Sequence, residues 1–459
     1  MSELRFDRTM SDSEALMWRL EDDPHLSSPV GTVTLLDRAP DYDAFRRRMQ
    51  YAVSAIPRLR QRVMSTPGNL ASPVWVDDPE FDLDRHVRRI ACPKPGSFRQ
   101  VLDLAALFLA DPFDQARPLW QFVIAEGLRG GKAALIQKAH HTITDGERGV
   151  ELSMRFLDVE RDAPDPEPIE PTEPIDDGPS PLTTTEGVRD LLTGAMRLPI
   201  EVARQVGELL ADPSGIPDAS ASASRTFMGV MAELSDTEPA RSPLWTERSL
   251  QRRIETATAS LIEVKTSAKR LGGTLNTAFL TAAAHAAGQY HLEMGAPVEG
   301  LRASMAISTR TEGSGSNAFS LARLVVPTGD MSIAERFAAI DQVTQQARHA
   351  NESAALDTLA TVTSVLPGQL ITRIARQQSN TIDFVTSNVR GAPVPLFVAG
   401  AEMLENYPVG PLIGTAFNLT LLSYQDRLDM GINIDTAAIT DPELLTRLLK
   451  RSFKQLAKA

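Results

Sequence analysis

The chain alternates between two kinds of hydrophobic spacing. "GTVTLLD" (31–37) reads as a strand, and "YDAFRRRMQYAVSAI" after it places Phe45, Met49, Val53 and Ile56 on one helical face. "FRQVLDLAALFLADPFD" predicts another helix, and "WQFVIAEGL" and "KAALIQKAHH" predict paired strands. Farther along, "LNTAFLTAAAHAAGQYHL" predicts a buried helix, while "RASMAISTR" and "FSLARLVVPTG" predict strands. No short-period repeat is present. Both halves have βα character, so the pattern predicts a pair of related α/β sandwich domains.

The break between the halves is compositional. "APDPEPIEPTEPIDDGPSP" (163–181) holds seven prolines and an excess of acids, the signature of a semi-extended linker or surface crossover. Val188, Leu191, Leu192 and Met196 then recur at helical spacing until Pro199, and the low-complexity "DASASASR" follows. We therefore divide the chain into an N-terminal domain (1–162), a linker with a crossover helix (163–225) and a C-terminal domain (226–459). A length of 459 residues also exceeds what single cores usually reach.

Composition narrows the function classes. The net charge of −12 argues against nucleic acid as the main partner, because phosphate neutralisation needs a concentrated basic surface. It argues equally against attachment to anionic lipid by charge alone, and leaves open docking through an apolar patch. The single cysteine, Cys92, can form no internal disulfide, and no Cys/His pattern has zinc-ligand spacing, so no metal is expected. The charged N-terminus lacks a secretory h-region, and no run reaches the apolar length of a spanning helix. A cytoplasmic protein that lies on a membrane without crossing it fits these features.

The chemistry-bearing stretch is "QKAHHTITDGERG" (137–149). On a strand ending there, side chains alternate, so His140 and His141 face opposite sides, and His141 shares its side with Leu135, Gln137 and Ala139. Asp145 and Gly146 fall in the turn before a predicted helix, where Asp bonds nearby backbone and Gly tolerates unusual φ. An imidazole held at a strand end suits a general base, since its ordinary pKa lies near working pH. A histidine on a strand is more often a satisfied structural residue. Here the His-His-x-x-x-Asp-Gly spacing and the strand–turn–helix setting coincide, which favours catalysis.

HHxxxDG resembles the signature of the chloramphenicol acetyltransferase-like superfamily of CoA-dependent acyltransferases, shared with peptide-synthetase condensation domains. Other segments resemble the wax ester synthase/diacylglycerol acyltransferase family in particular: "RPLWQFVIAEGL" (117–128), "PRLRQRV" (57–63), "HVRRIACPKPG" (86–96), "GSNAFSLARLVVPTGD", "TSNVRGAP" and "YPVGPLIGTAFNLTLLSY". "MSDSEALMW" is similar to the family's opening Ser-x-x-Asp segment with shifted spacing. The likeness runs nearly end to end. Two departures stand out: Asn276-Thr277 where the family commonly has Asn-Asp, and Glu147 and Arg148 where it often has small residues.

The resemblance implies two acyltransferase sandwich domains with the active site in a tunnel between them. It implies transfer of a fatty acyl group from acyl-CoA, a co-substrate and not a bound cofactor, to diacylglycerol or a long-chain alcohol. His141 corresponds to the family's second histidine, the base. His140 is expected to support it, and Asp145 to hold the turn more than to react. Asn276 is the candidate for a polar group near the oxyanion. Pro118, Leu119 and Trp120 have two readings, the wall of an acyl channel or plain core. Asn317, Asn388 and Asn418 are read as structural; His285, His291, His25, His86 and His349 are not read as sites, the last three lying among exposed-looking charges. Contact with the inner face of the plasma membrane or with lipid droplets is expected because long acyl chains dissolve poorly. Two rivals stand beside this reading. A carrier-protein-dependent condensation or polyketide-type acyltransferase would share His141. A catalytically silent lipid-droplet protein would need neither histidine. A plant-type enzyme of the superfamily is disfavoured by the missing Asp-Phe-Gly-Trp-Gly element.

Overall fold

The computed structural model describes residues 6–65, 72–143, 146–172, 239–308, 319–351 and 368–459. Of the linker and crossover helix expected at 163–225, residues 173–225 lie outside them, as does Asn317.

The first half builds α1 (Asp12–Leu20), β1 (Pro29–Leu36), α2 (Tyr42–Ala55), the hairpin β2 (Gln61–Met64) and β3 (Val74–Asp77), the short α3 (Leu83–His86), β4 (Val87–Ala91), α4 (Phe98–Ala110), β5 (Trp120–Glu126), β6 (Ala133–His140) and α5 (Gly146–Ser153). Local chemistry explains the boundaries. Asp41 caps α2 by accepting from the Ala44 N–H, and Phe45, Met49, Val53 and Ile56 are all buried, as their spacing predicts. Ser97 and Gln100 form a capping box at the start of α4.

The second half builds β7 (Arg252–Ser260), α6 (Leu261–Arg270), α7 (Leu275–Glu293), β8 (Gly300–Ser308), β9 (Phe319–Pro327), α8 (Ile333–Asn351), α9 (Gly368–Ser379), β10 (Phe384–Arg390), β11 (Phe397–Val398), β12 (Ala401–Val409), β13 (Phe417–Tyr424), β14 (Arg427–Asp435) and α10 (Pro442–Lys458). The helix α7 is apolar on nearly every side and is buried accordingly, against α8 and α10.

Two six-stranded sheets result. The second has the order β7-β14-β13-β10-β8-β9 and uses second-half strands alone. The first has the order β11-β12-β1-β6-β5-β4, so it takes two strands from the second half. β12 pairs antiparallel with β1 from Gly31 opposite Val409 to Leu36 opposite Met403. Nothing in the spacing of "AEMLENYPV" announces this crossover. An alternating strand reads the same whichever sheet it joins.

β12 also packs across β13 and β14 of the second sheet. Gly431 on β14 makes that approach possible: a Cβ there would stand 1.9 Å from the Pro408 carbonyl oxygen. Backbone cannot swing aside as a flexible side chain can. Gly431→Ala should therefore lower stability by about 1–3 kcal/mol or more, read as a fall in the urea unfolding midpoint. An unchanged midpoint would show that the two sheets are not held this closely.

Candidate active site

β6 runs between β1 and β5 in the first sheet and carries the two histidines out at its end. Its side chains alternate. Ala134 and Ile136 pack with Val33, Leu35 and the buried face of α4. Ala133, Leu135 and Ala139 pack into the cluster of Phe45 and Trp120 on the other side. His140 ends the strand, and His141 is the first residue of the turn, its N–H donating to the Ser28 carbonyl at 3.2 Å.

The two imidazoles have different surroundings. His140 is fully buried, edge-on to Trp18 and Phe113, with both ring nitrogens engaged. The Thr142 backbone N–H donates to Nδ1 at 3.2 Å, which makes Nδ1 the acceptor and puts the proton on Nε2. Nε2–H then donates to Glu21 Oε2 at 2.9 Å. His141 is only half-buried and keeps part of its surface open. One histidine is thus fixed in the scaffold, and its neighbour is only half-buried.

Sequence reasoning did not single out Glu21. It follows α1 and reaches over the end of β6. Burial favours its neutral form, but donors at His140, Ser27 and Ser28 outweigh this and hold its pKa below the usual carboxylate value. Asp23, two residues on, pairs with Arg376 of α9 at 3.2 Å and ties this loop to the second half.

Lys138 was missed as well. It sits two residues before His140 and so on the same face, almost fully buried. Its ammonium lies 4.4 Å from the Phe113 ring centroid and donates to the Asp111 carbonyl. Burial pushes it down to about 8.

Among the remaining expected site residues, Asp145 lies outside the described residues, and Gly146 is the first residue of α5. Leu119 and Trp120 are fully buried core residues, and the Trp120 indole donates to the Leu59 carbonyl at 2.8 Å. Pro118 instead borders a small polar cavity. Asn276, at the start of α7, accepts through its side-chain carbonyl from Asn388 on β10, which leaves its amide group to donate elsewhere. The helix after the motif, α5, packs on β10, the strand that carries Asn388. Thr277 donates to Asp341 of α8 at 2.8 Å, so a carboxylate from another helix bonds the residue standing in place of the family acid.

Several other polar side chains have partners inside the fold. Asn418 bonds the Pro411 carbonyl at 2.7 Å and Thr420 at 2.8 Å. His285 bonds Ser452 at 2.8 Å, and burial beside Arg336 and Arg451 pushes it down to about 4. His291 bonds Ser242 at 2.7 Å. His86 differs from expectation: it is buried and stacked on Trp120, not exposed, because the short α3 turns its ring inward. Among the described residues, no group of three or more His, Cys, Asp or Glu could hold a metal, and no helix is long and apolar enough to cross a membrane.

The lowered pKa of Glu21 fixes a pH dependence. Its ionised form stabilises the fold above its unfolded value near 4.5, and that stability is lost as pH falls through the lower folded value. Glu21→Gln should cost about 1.5–3 kcal/mol at pH 7 and flatten the acid limb of a urea-midpoint-versus-pH curve. Parallel curves for the two proteins would refute the charge-assisted bond.

The sequence and fold can be compared with known proteins on this footing. Residues 10–279 match the model of the wax ester synthase/diacylglycerol acyltransferase catalytic domain, and residues 315–457 match that of its C-terminal domain. A Mycobacterium tuberculosis H37Rv protein whose name assigns it to the diacylglycerol O-acyltransferases is 33% identical over 453 residues, spanning 96% of this chain and 90% of its own. A second such protein from that organism, tgs1, is 27% identical over 445 residues, spanning 95% of this chain and 92% of its own. The wax ester synthase/diacylglycerol acyltransferase of Marinobacter aquaeolei VT8 superposes with a TM-score of 0.66 at 21% identity, over 98% of this chain and all of the other. The starter condensation domain of a rhizomide synthetase gives 0.58 at 14% identity, over 98% and 94%. The two-sheet α/β fold expected from the resemblance is therefore the fold observed. With both domain models matched in order along it, the chain belongs to the wax ester synthase/diacylglycerol acyltransferase family and is an acyltransferase.

Proposed function

We propose that this acyltransferase moves a long-chain acyl group from acyl-CoA to the free hydroxyl of diacylglycerol, forming triacylglycerol, and accepts long-chain alcohols as a side activity to give wax esters. The observation that carries the reading is the contrast at the end of β6: His140 has both nitrogens bonded in the core, while His141 beside it is partly open. The domain matches and the names of the mycobacterial relatives support the substrate class.

The chemistry needs little more. A thioester carbonyl is already reactive, but a neutral alcohol attacks poorly while it keeps its proton. His141 takes that proton as the alcohol oxygen bonds to the carbonyl carbon. The carbon–sulfur bond then breaks, and the proton passes from the imidazolium to the departing thiolate. Ester and free CoA result, with no acyl-enzyme. The amide nitrogen of Asn276, whose carbonyl is taken up by Asn388, is the donor we assign to the carbonyl oxygen as it becomes negative. Substrates this insoluble place the enzyme on a lipid surface, either the inner face of the plasma membrane or a lipid droplet, reached from the cytoplasm.

Purified protein incubated with radiolabelled palmitoyl-CoA should form labelled triacylglycerol from diacylglycerol and, more slowly, labelled wax ester from hexadecanol. His141→Ala should reduce the rate by about 10²- to 10⁴-fold. Lipid binding without ester formation by the unaltered chain would overturn the proposal and favour a lipid-coating role.

A further inference from the structure

Near the motif lies a cavity of about 160 Å³ that the proposed reaction does not use. Arg85 and Arg88 border it from α3 and β4, and Arg117 and Pro118 from the segment entering β5. Asp114 is the one carboxylate of the lining. A cationic concavity is unexpected on a chain carrying a net charge of −12.

The arginines are weakly committed. Arg117 stands 3.4 Å from Asp114 and 4.0 Å from Asp78, and Arg85 stands 3.6 Å from Asp82. Arg88 donates to the Arg85 carbonyl at 3.1 Å and has no carboxylate within ion-pair distance among the described residues. Guanidinium groups held this loosely can turn to an incoming oxyanion and bind it through paired N–H donors.

His86, also in the lining, supplies a second observation. Its ring is clamped between Phe81, 5.3 Å away, and Trp120, 4.7 Å away. Nδ1 lies 2.7 Å from the Trp120 carbonyl oxygen, which can only accept, so Nδ1 bears the proton. Nε2 of the neutral ring is then a bare acceptor, and it is buried with no hydrogen-bond partner. A buried acceptor left unmet is costly, and a ligand hydroxyl would satisfy it.

Residues of the cavity wall also touch the motif strand. Gln121 in its lining pairs in register with Lys138, and the residue after Pro118, Leu119, accepts the His140 N–H at 2.9 Å. The Phe113 ring belongs to the lining and also meets His140 at 6.0 Å.

We propose that this cavity binds a phosphate monoester bearing a neighbouring hydroxyl, with Arg85, Arg88 and Arg117 on the phosphate and His86 Nε2 on the hydroxyl. Two ligands share that chemistry: the 3′-phosphoribose end of the acyl donor and the head of a monoacylglycerol phosphate lipid. The first rests on acyl-CoA being the donor; the phosphate site itself does not.

Calorimetry on the full chain tests this without turnover, so its failure is distinct from a failure of the proposed reaction. Adenosine 3′,5′-bisphosphate, glycerol 3-phosphate and inorganic phosphate are titrated separately. At least one organic phosphate should bind, and Arg88→Gln/Arg117→Gln should weaken it about ten-fold or more. His86→Phe keeps the aromatic stack and should weaken the organic phosphates while leaving inorganic phosphate unchanged. Preference for the adenosine compound identifies the acyl donor, and Arg88→Gln/Arg117→Gln should then lose selectivity for palmitoyl-CoA over S-palmitoyl-pantetheine. Preference for glycerol 3-phosphate identifies a lipid head. Absence of saturable binding, or binding equal in all variants, overturns the proposal.

Discussion

A strand in the middle of a sheet must have its N–H and C=O groups met on both sides, and β1 meets this demand only by borrowing. One edge pairs with β6 and the other with β12, which arrives from the far half of the chain. The same β12 is bonded to the second sheet: Asp429 accepts from the Asn406 N–H at 2.8 Å, and Tyr424 donates to the Met403 carbonyl at 2.9 Å. The Tyr424 hydroxyl also accepts from the Leu396 N–H at 2.9 Å. The two halves of the chain are thus joined by the β1–β12 ladder, and the two sheets by buried polar contacts in addition to packing. The end of β6, and the histidines on it, inherit their position from that junction.

At that end, each histidine does what its surroundings permit. A ring with both nitrogens bonded inside the core gains nothing by moving, and it holds the turn. The half-buried ring of His141 is the one to which we assign the proton transfer in the proposed reaction. Glu21 stands behind the first of these from α1, and Asp23 extends the support to α9 through Arg376. The motif is therefore braced by residues far from it in sequence and from both halves. Thr277 shows the same economy, since Asp341 on a neighbouring helix provides the carboxylate that meets its hydroxyl.

Much of this was legible in the sequence. The buried face of α2, the course of β6 and the apolar α7 follow from residue spacing, because their burial is local and periodic. The HHxxxDG motif and the segments around it pointed to the family. What stayed hidden depends on contacts across long separations. Glu21 is one acid among fifty-nine until the fold sets it against His140. Lys138 is one lysine within the motif stretch until the fold covers it with α4 and Phe113. His86 sits among charges in sequence, but a single turn of helix rolls its ring under Trp120. Leu119 and Trp120 admitted two readings from sequence, and both side chains are enclosed in the core.

The borrowed strand has a consequence in time. Ribosomes deliver the chain from its N-terminus, so β1 and β6 emerge long before residues 401–409 exist. Until then β1 presents an unpaired edge, the kind of surface on which nascent proteins associate wrongly. Completion of the first sheet must await synthesis of residues 403–409, and its contacts are among the slowest kind to form. Cover for that edge during synthesis is therefore a demand this topology makes that its finished stability does not reveal.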